Sequence, residues 1–344
     1  MTGYVLLILP SANRVYAEAA VDLTLAELAV FNATVLDGRL TDLAQTTIGG
    51  LPYVAFTAPP LTERDVTYLA NAASLYALFA REGEMLRPVA MRGLALLDDD
   101  LITIPKYAGK TNEQFTKLLL NVTLLSSASA GRMIDSRLRI LDPLCGRGTT
   151  LNQALTYGYD VAGIDLDGKD FEAYASFLKT YLQRKRIKHR AEVIPVRREK
   201  KLVARRLTVN LTPRESTESL SVDVVHADTV TAPEYFKPAS FDAIVADAPY
   251  GVQHGSRTVA AGLRRAPLEL LREAVPAWVR LLRPGAALGI SWNTQVAKRD
   301  DAAAVLADAG LTVLEDGPYG RFRHRVDQSI TRDILVAVKG GAPS

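Results

Sequence analysis

One cysteine, Cys145, excludes an intrachain disulfide, and four scattered histidines offer no metal-ligand spacing. No apolar run approaches the roughly 18 residues that a bilayer span requires. The N-terminal YVLLILP has no basic region before it and is too short for a signal peptide, so it reads as a first strand. These absences leave a soluble, cytoplasmic, metal-free chain. What is present supports a globular protein: 344 residues, of which 48% are hydrophobic, suffice for two domains and a sizeable core.

Charge is unevenly placed. The net charge is only +3, yet residues 184–214 carry twelve Lys or Arg against Glu192 and Glu199. That segment is therefore strongly cationic and the remainder net acidic. Concentrated positive charge is the footprint of a polyanion contact. A solvated charged hairpin is the plainer reading of the same run.

From about residue 135, strands and helices alternate. SRLRILDPLCG is a strand entering a glycine turn, TTLNQALTYG a short helix, DVAGIDLD the next strand and DFEAYASFLKTYLQRK a helix. VDVVHAD and FDAIVADAPYG follow as strands, then the amphipathic APLELLREAVPAWVRLLRPG. AALGISWN, RDDAAAVLADAG and a terminal pair, LTVLEDG and DILVAVKG, complete the chain. Alternation of this kind predicts an α/β fold, a mostly parallel sheet covered on both faces. Residues 1–100 form a smaller α/β unit, and residues 101–344 the larger domain with 184–214 inserted. Thr111 and Gln114 have the spacing of a capping box that starts a helix through Leu118–Val122.

Three motifs carry chemistry. In DPLCGRGTT, Gly146 and Gly148 lie between strand and helix, just after Asp142, where backbone can pass close to a ligand. GIDLD follows, and Asp165 ends the second strand about twenty residues beyond the turn, a position suited to a ribose diol; Asp167 is the alternative. The glycine pattern does not read G-x-G-x-x-G, because Leu151 holds the third position, and no Lys-Ser/Thr of a phosphate loop is there. The expected ligand presents a ribose and a base without a pyrophosphate, which S-adenosylmethionine does. Asp228, closing VDVVHAD, is then placed to accept from an adenine amino group; a loop or helix-capping aspartate is the ordinary alternative.

The third motif is ADAPYG. An exocyclic ring amine is a poor nucleophile because its lone pair is delocalised. Asp247 can accept one N–H and the Ala248 carbonyl another, aiming the lone pair at a methyl donor. A carboxylate placed beforehand stabilises the positive charge that nitrogen gains. Pro249 restricts the turn, and Tyr250 can stack on the ring.

In order and spacing, KYAGKTNEQFTKLLLN, LDPLCGRGTT, GIDLD, HADTV and ADAPYGVQHGS resemble a Class I amino-methyltransferase with a Rossmann-like core. More narrowly, residues 100–340 resemble the tRNA guanine-N2 methyltransferases, whose members often carry an RNA-binding THUMP domain. The resemblance implies S-adenosylmethionine as cofactor and tRNA as partner. It also implies that the segment before the core holds the methionine end of the cofactor, pointing to Gln114 and Phe115. Ala248 departs from the family's Asp-Pro-Pro-Tyr or Asn-Pro-Pro-Tyr. No THUMP domain is identifiable; the first 100 residues resemble only the ferredoxin-like piece that accompanies it. The basic segment, with Arg321, Arg323 and Arg325, then offers the grip on RNA. Alternatives are a ribosomal RNA guanine-N2 methyltransferase, a DNA adenine-N6 or cytosine-N4 methyltransferase, and a non-catalytic cofactor- and RNA-binding protein.

Overall fold

The computed structural model describes residues 1–214, 216–248 and 267–341. The chain begins with β1 (Thr2–Ile8), α1 (Arg14–Thr34), β2 (Thr41–Ile48), β3 (Leu51–Ala58), α2 (Glu63–Leu69), β4 (Leu75–Glu82) and β5 (Met85–Pro88). These strands make an antiparallel sheet in the order β2-β3-β1-β4-β5. Its first six elements have the β-α-β-β-α-β connectivity of a ferredoxin-like unit. Asn13 caps α1 by accepting from Tyr16 N, and Thr62 with Asp65 forms a capping box on α2.

Two helices link this sheet to the next, α3 (Asp100–Thr103) and α4 (Glu113–Leu125). Ten of the thirteen residues of α4 are buried. A helix buried around its circumference needs cover on every side, and α4 finds it between α1, the helix Thr149–Thr156 and the face of the second sheet at its strands Phe241–Asp247 and Leu282–Asn293. Its Thr123 lies so close to Gly289 that a Cβ there would fall 1.8 Å from the threonine oxygen. The cap of α4 is Asn112, whose side chain accepts from Phe115 N at 3.1 Å. The capping box expected from Thr111 and Gln114 does not form, because the helix starts one residue later.

The second sheet contains β6 (Arg139–Asp142), β7 (Asp160–Asp165), β8 (Lys188–Arg198), β9 (Lys201–Thr212), β10 (Leu220–His226), β11 (Phe241–Asp247), β12 (Leu282–Asn293), β13 (Leu311–Leu314), β14 (His324–Arg325) and β15 (Thr331–Lys339). Its order is β13-β15-β12-β11-β6-β7-β10-β9-β8, with β14 paired to β15. The five central strands, β12 to β10, are parallel, as the alternation with helices predicts; the flanking ones are antiparallel. Helices α5 (Thr149–Thr156), α6 (Gly168–Arg184), α7 (Pro267–Leu281) and α8 (Arg299–Asp308) cover the faces. On α7, Leu271, Ala274, Val275, Trp278 and Leu281 recur at helical spacing and are all buried.

The basic segment is neither a loop nor a separate arm. From Lys188 to Thr212 it is the β8–β9 hairpin, which continues the sheet beyond β10. Glu199 and Lys200 turn it with φ of 48° and 66°, the two positive angles of a tight hairpin turn. Asp165, His226, Arg205 and Pro195 share one level across four strands. The hairpin thus runs about four residues, or roughly 13 Å, past the carboxyl ends of the parallel strands.

Candidate active site

The chain passes from β6 to β7 and β10 on one side, then returns to place β11 on the other side of β6. The carboxyl ends of β6 and β11 thus flank the point where strand order reverses, which is where open α/β sheets bind ligands. Asp142 ends β6 and Asp247 ends β11.

The glycine turn follows Asp142. Gly146 and Gly148 adopt φ of 46° and 78°, and a Cβ at Gly148 would strike the Tyr174 ring at 2.3 Å. A Cβ on Gly146 meets nothing within 4 Å, so the turn presents bare backbone to open space there. Four amides of the turn are committed internally. Leu144 N donates to Asp142 at 3.0 Å, Cys145 N to the Ile164 carbonyl at 3.2 Å, Gly146 N to Asp165 at 2.7 Å and Gly148 N to the Cys145 carbonyl at 2.7 Å.

Asp165 is held on its other oxygen by Asp167 N, at 2.8 Å, and so fastens β7 to the turn. Asp167 caps α6, accepting from Lys169 N and Asp170 N. Asp228 accepts from Val230 N at 3.1 Å and caps the short helical turn at Thr229–Glu234. Burial pushes Asp142 up to about 7, and the charges of Asp165 and Asp247 add to the rise. Burial also raises Asp165.

These features test the fit of a cofactor. A phosphate would need open amides or cations; here four turn amides are satisfied, the turn's cation Arg147 is paired with Asp170, and carboxylates end the neighbouring strands. A ligand with a ribose, a base and positive charge on sulfonium and ammonium suits that surface. Among the described residues no group of His, Cys, Asp or Glu could hold a metal ion.

Asp247 is braced from both sides. The Thr111 hydroxyl donates to one carboxylate oxygen and the Ser291 hydroxyl to the other. Ser291 stands opposite Asp247 in the parallel register of β11 and β12. Ala248 N continues the pairing, donating to the Ser291 carbonyl at 2.8 Å. Proline at 248 would lack that N–H, so the departure from the family motif exchanges ring rigidity for a hydrogen bond. Pro249 and Tyr250 lie outside the described residues.

The segment before α4 contributes differently from expectation. Gln114 donates to the Leu9 carbonyl at 3.1 Å, and Phe115 is wholly buried between His324 and the Arg332 guanidinium. Both face the core or the first sheet. Thr111 reaches the site instead, and Tyr107 joins it by bonding Thr149 at 2.8 Å beneath a stacked Arg147. The segment therefore crosses from α5 to β11, over the reversal point. Sequence reasoning marked this stretch but not Tyr107, Thr111 or Ser291 as partners; a hydroxyl at a strand end, as in SWN, is the only signal Ser291 offers.

A family model described as the RMKL-like methyltransferase domain matches residues 128–287, a little under half of the chain. The chain carries an S-adenosylmethionine-dependent methyltransferase domain. No curated protein matches it. Among solved structures it is similar to a TehB-like methyltransferase of Corynebacterium glutamicum, at 18% identity, 61% of this chain, 86% of that one and a TM-score of 0.34. A methyltransferase of Methanosarcina mazei matches at 14%, 62%, 98% and 0.37, and a candidate RNA methyltransferase of Pyrococcus horikoshii at 12%, 67%, 86% and 0.38. No helix among the described residues is long and apolar enough to cross a membrane.

Proposed function

We propose that the protein methylates the exocyclic N2 amine of a guanosine in tRNA. The observation that carries this reading is Asp247, held at the reversal point by Thr111 and Ser291 and followed by Ala-Pro-Tyr. S-adenosylmethionine, when bound, supplies an electrophilic methyl group. Asp142, Asp165, Asp228 and the backbone of Gly146 and Gly148 are the residues to hold it. Asp247 accepts an amine N–H; a carboxylate takes several hydrogen bonds at once, so two hydroxyl partners do not bar a third donor. Their role is to fix its orientation, so that the carboxylate meets the developing charge on nitrogen without reorganising. The Ala248 carbonyl is the second acceptor, and Tyr250 the stacking partner of an extruded base.

The hairpin supports an RNA substrate. Of its cations, Arg190, Arg198, Arg205 and Arg206 are paired with carboxylates of the protein, as is Lys185 just before it. Arg197, Lys200 and Lys201 have no carboxylate partner among the described residues, and they sit at the tip that rises above the catalytic edge. Arg198 secures the tip, bonding Glu234 and lying over Tyr235. Three open cations on a braced projection suit a phosphate backbone.

The test is nucleoside mass spectrometry of unmodified tRNA transcripts after incubation with the protein and S-adenosylmethionine. N2-methylguanosine is the expected product. Its absence from tRNA, with methylation of ribosomal RNA or DNA, overturns the substrate; no methylated nucleoside in any of them overturns the reaction.

A further inference from the structure

A cavity of about 370 Å³ opens between the first half of α1 and residues 321–325. Arg321, Arg323 and Arg325 are exposed and alternate with buried Phe322 and His324. The three arginines and His324 line one wall, Glu18 and Asp22 of α1 the other. None of the arginines forms an ion pair among the described residues.

His324 is the unusual member. It is 7% exposed, and its Nε2 is buried without a hydrogen-bond partner. Its Nδ1 lies 2.9 Å from the Phe322 carbonyl, which only accepts, so Nδ1 carries the proton. Nε2 of the neutral ring is then an acceptor lacking a donor. Burial lowers the imidazole to about 4, which keeps it neutral near pH 7. A buried acceptor left unsatisfied is costly unless a ligand supplies the hydrogen.

The cavity lies on the catalytic edge. His324 pairs with Arg332, and Arg332 with Asn293 at the carboxyl end of β12, two residues past Ser291. β14 stands three strands from β11, roughly 14 Å at ordinary strand spacing. It is on the opposite side of Asp247 from the basic hairpin.

We propose that this cavity binds a ribonucleotide flanking the target base, its phosphate on Arg321, Arg323 and Arg325 and its 2′-hydroxyl donating to His324 Nε2, which a turn of the ring at the cavity wall would uncover. The assignment rests on the RNA reading above and adds a second contact to it. Arginine forks match phosphate oxygens, and the 2′-hydroxyl is the group that distinguishes RNA from DNA. Glu18 and Asp22 repel phosphate from the helix side, leaving that wall to hydroxyl or amino groups.

Direct binding of an unmodified tRNA transcript, and of DNA of the same sequence, tests it across a salt series. Arg321→Gln with Arg323→Gln and Arg325→Gln should weaken tRNA binding tenfold or more. The same variant should lower the log–log salt slope by about two to three, at roughly 0.7–0.9 for each phosphate no longer neutralised. His324→Phe should cut the preference for RNA over DNA several-fold while leaving the slope near that of the wild type. The arginines are exposed, so the triple variant retains its core even if His324→Phe does not fold. Wild-type affinity and slope in the triple variant overturn the site, and so does a wild-type protein that binds DNA as well as RNA. Binding is read without methylation: loss of N2-methylguanosine formation bears on the proposed reaction, an unchanged salt slope on this cavity.

Discussion

Ser291 and Asp247 are 44 residues apart in the chain, yet they face each other across neighbouring parallel strands, and the serine hydroxyl bonds the carboxylate. Thr111, from a third part of the chain, bonds the other oxygen. Asp247→Ala should reduce kcat by at least about a hundredfold, the scale for removing a preplaced electrostatic group. Ser291→Ala and Thr111→Val should each cost roughly tenfold in kcat, the worth of a hydrogen bond to a charged group. Cofactor affinity should stay near wild type in all three. Equal losses of cofactor binding would show that these residues serve the cofactor instead.

Ala248→Pro restores the family's motif but deletes the bond from Ala248 N to the Ser291 carbonyl. Activity should fall, by an amount comparable to Ser291→Ala. Steady-state kinetics on tRNA decide; a gain in kcat would show that ring rigidity matters more than strand pairing.

Asp142 bears on cofactor binding through pH. Its carboxyl is pushed up to about 7, chiefly by burial, so it is protonated in the free protein below that value. A cationic ligand favours the ionised form, and binding must release a proton. Affinity for S-adenosylmethionine should therefore rise from pH 6 to pH 8. Calorimetric titrations across that range should show the trend flattened in Asp142→Asn.

Neutralising the hairpin tip, Arg197, Lys200 and Lys201 to Gln, should weaken tRNA binding and lower its salt slope by about two. Neutralising Arg184 at the end of α6, Arg186 in the link and Lys188 at the start of β8 should change it less. Filter binding over a salt series compares the two; equal effects would mean that the whole hairpin, not its tip, meets the RNA.

Glu27 is fully buried in α1, accepting from Asn121 at 2.8 Å and from Ala73 N at 2.9 Å. Burial raises its carboxyl from 4.5 to about 7. The folded protein holds this proton more tightly than the unfolded chain. Its contribution is thus fully present below about pH 4.5 and lost as pH rises through 7, by about 3 kcal/mol at 1.36 per unit. Denaturant midpoints of Glu27→Gln should lose that decline; parallel curves for the two proteins would place the titration elsewhere.

The central parallel sheet was legible because its strands end in recognisable turns and all but β10 are followed by a helical period. Asp142, Asp165 and Asp247 stand at strand ends for the same reason. What stayed hidden depends on neighbours distant in sequence. Ser291 reads as an ordinary polar residue until β12 is laid beside β11. Thr111 reads as a helix cap because its spacing allows it, and only the start of α4 at Glu113 frees it for Asp247. The basic segment displays its charge but not its pairing, and carboxylates from α6, β10 and the 229–236 stretch remove several cations from service. Buried Phe115 shows the limit of carrying a role across by resemblance: its side chain points into the core.

The helix α4 begins two residues after Thr111 and carries Asn121 at its middle, where one side chain bonds Glu27, the Asn71 carbonyl and the Tyr157 hydroxyl. Two sheets and the brace on Asp247 share a single rod. The ferredoxin-like unit is therefore no detachable appendage. Cutting the chain before α4 would strip one side of that rod, strand a buried amide and loosen the hydroxyl that aims Asp247. In engineering terms the protein is not modular: a swap of its N-terminal unit is also an edit of the proposed active site.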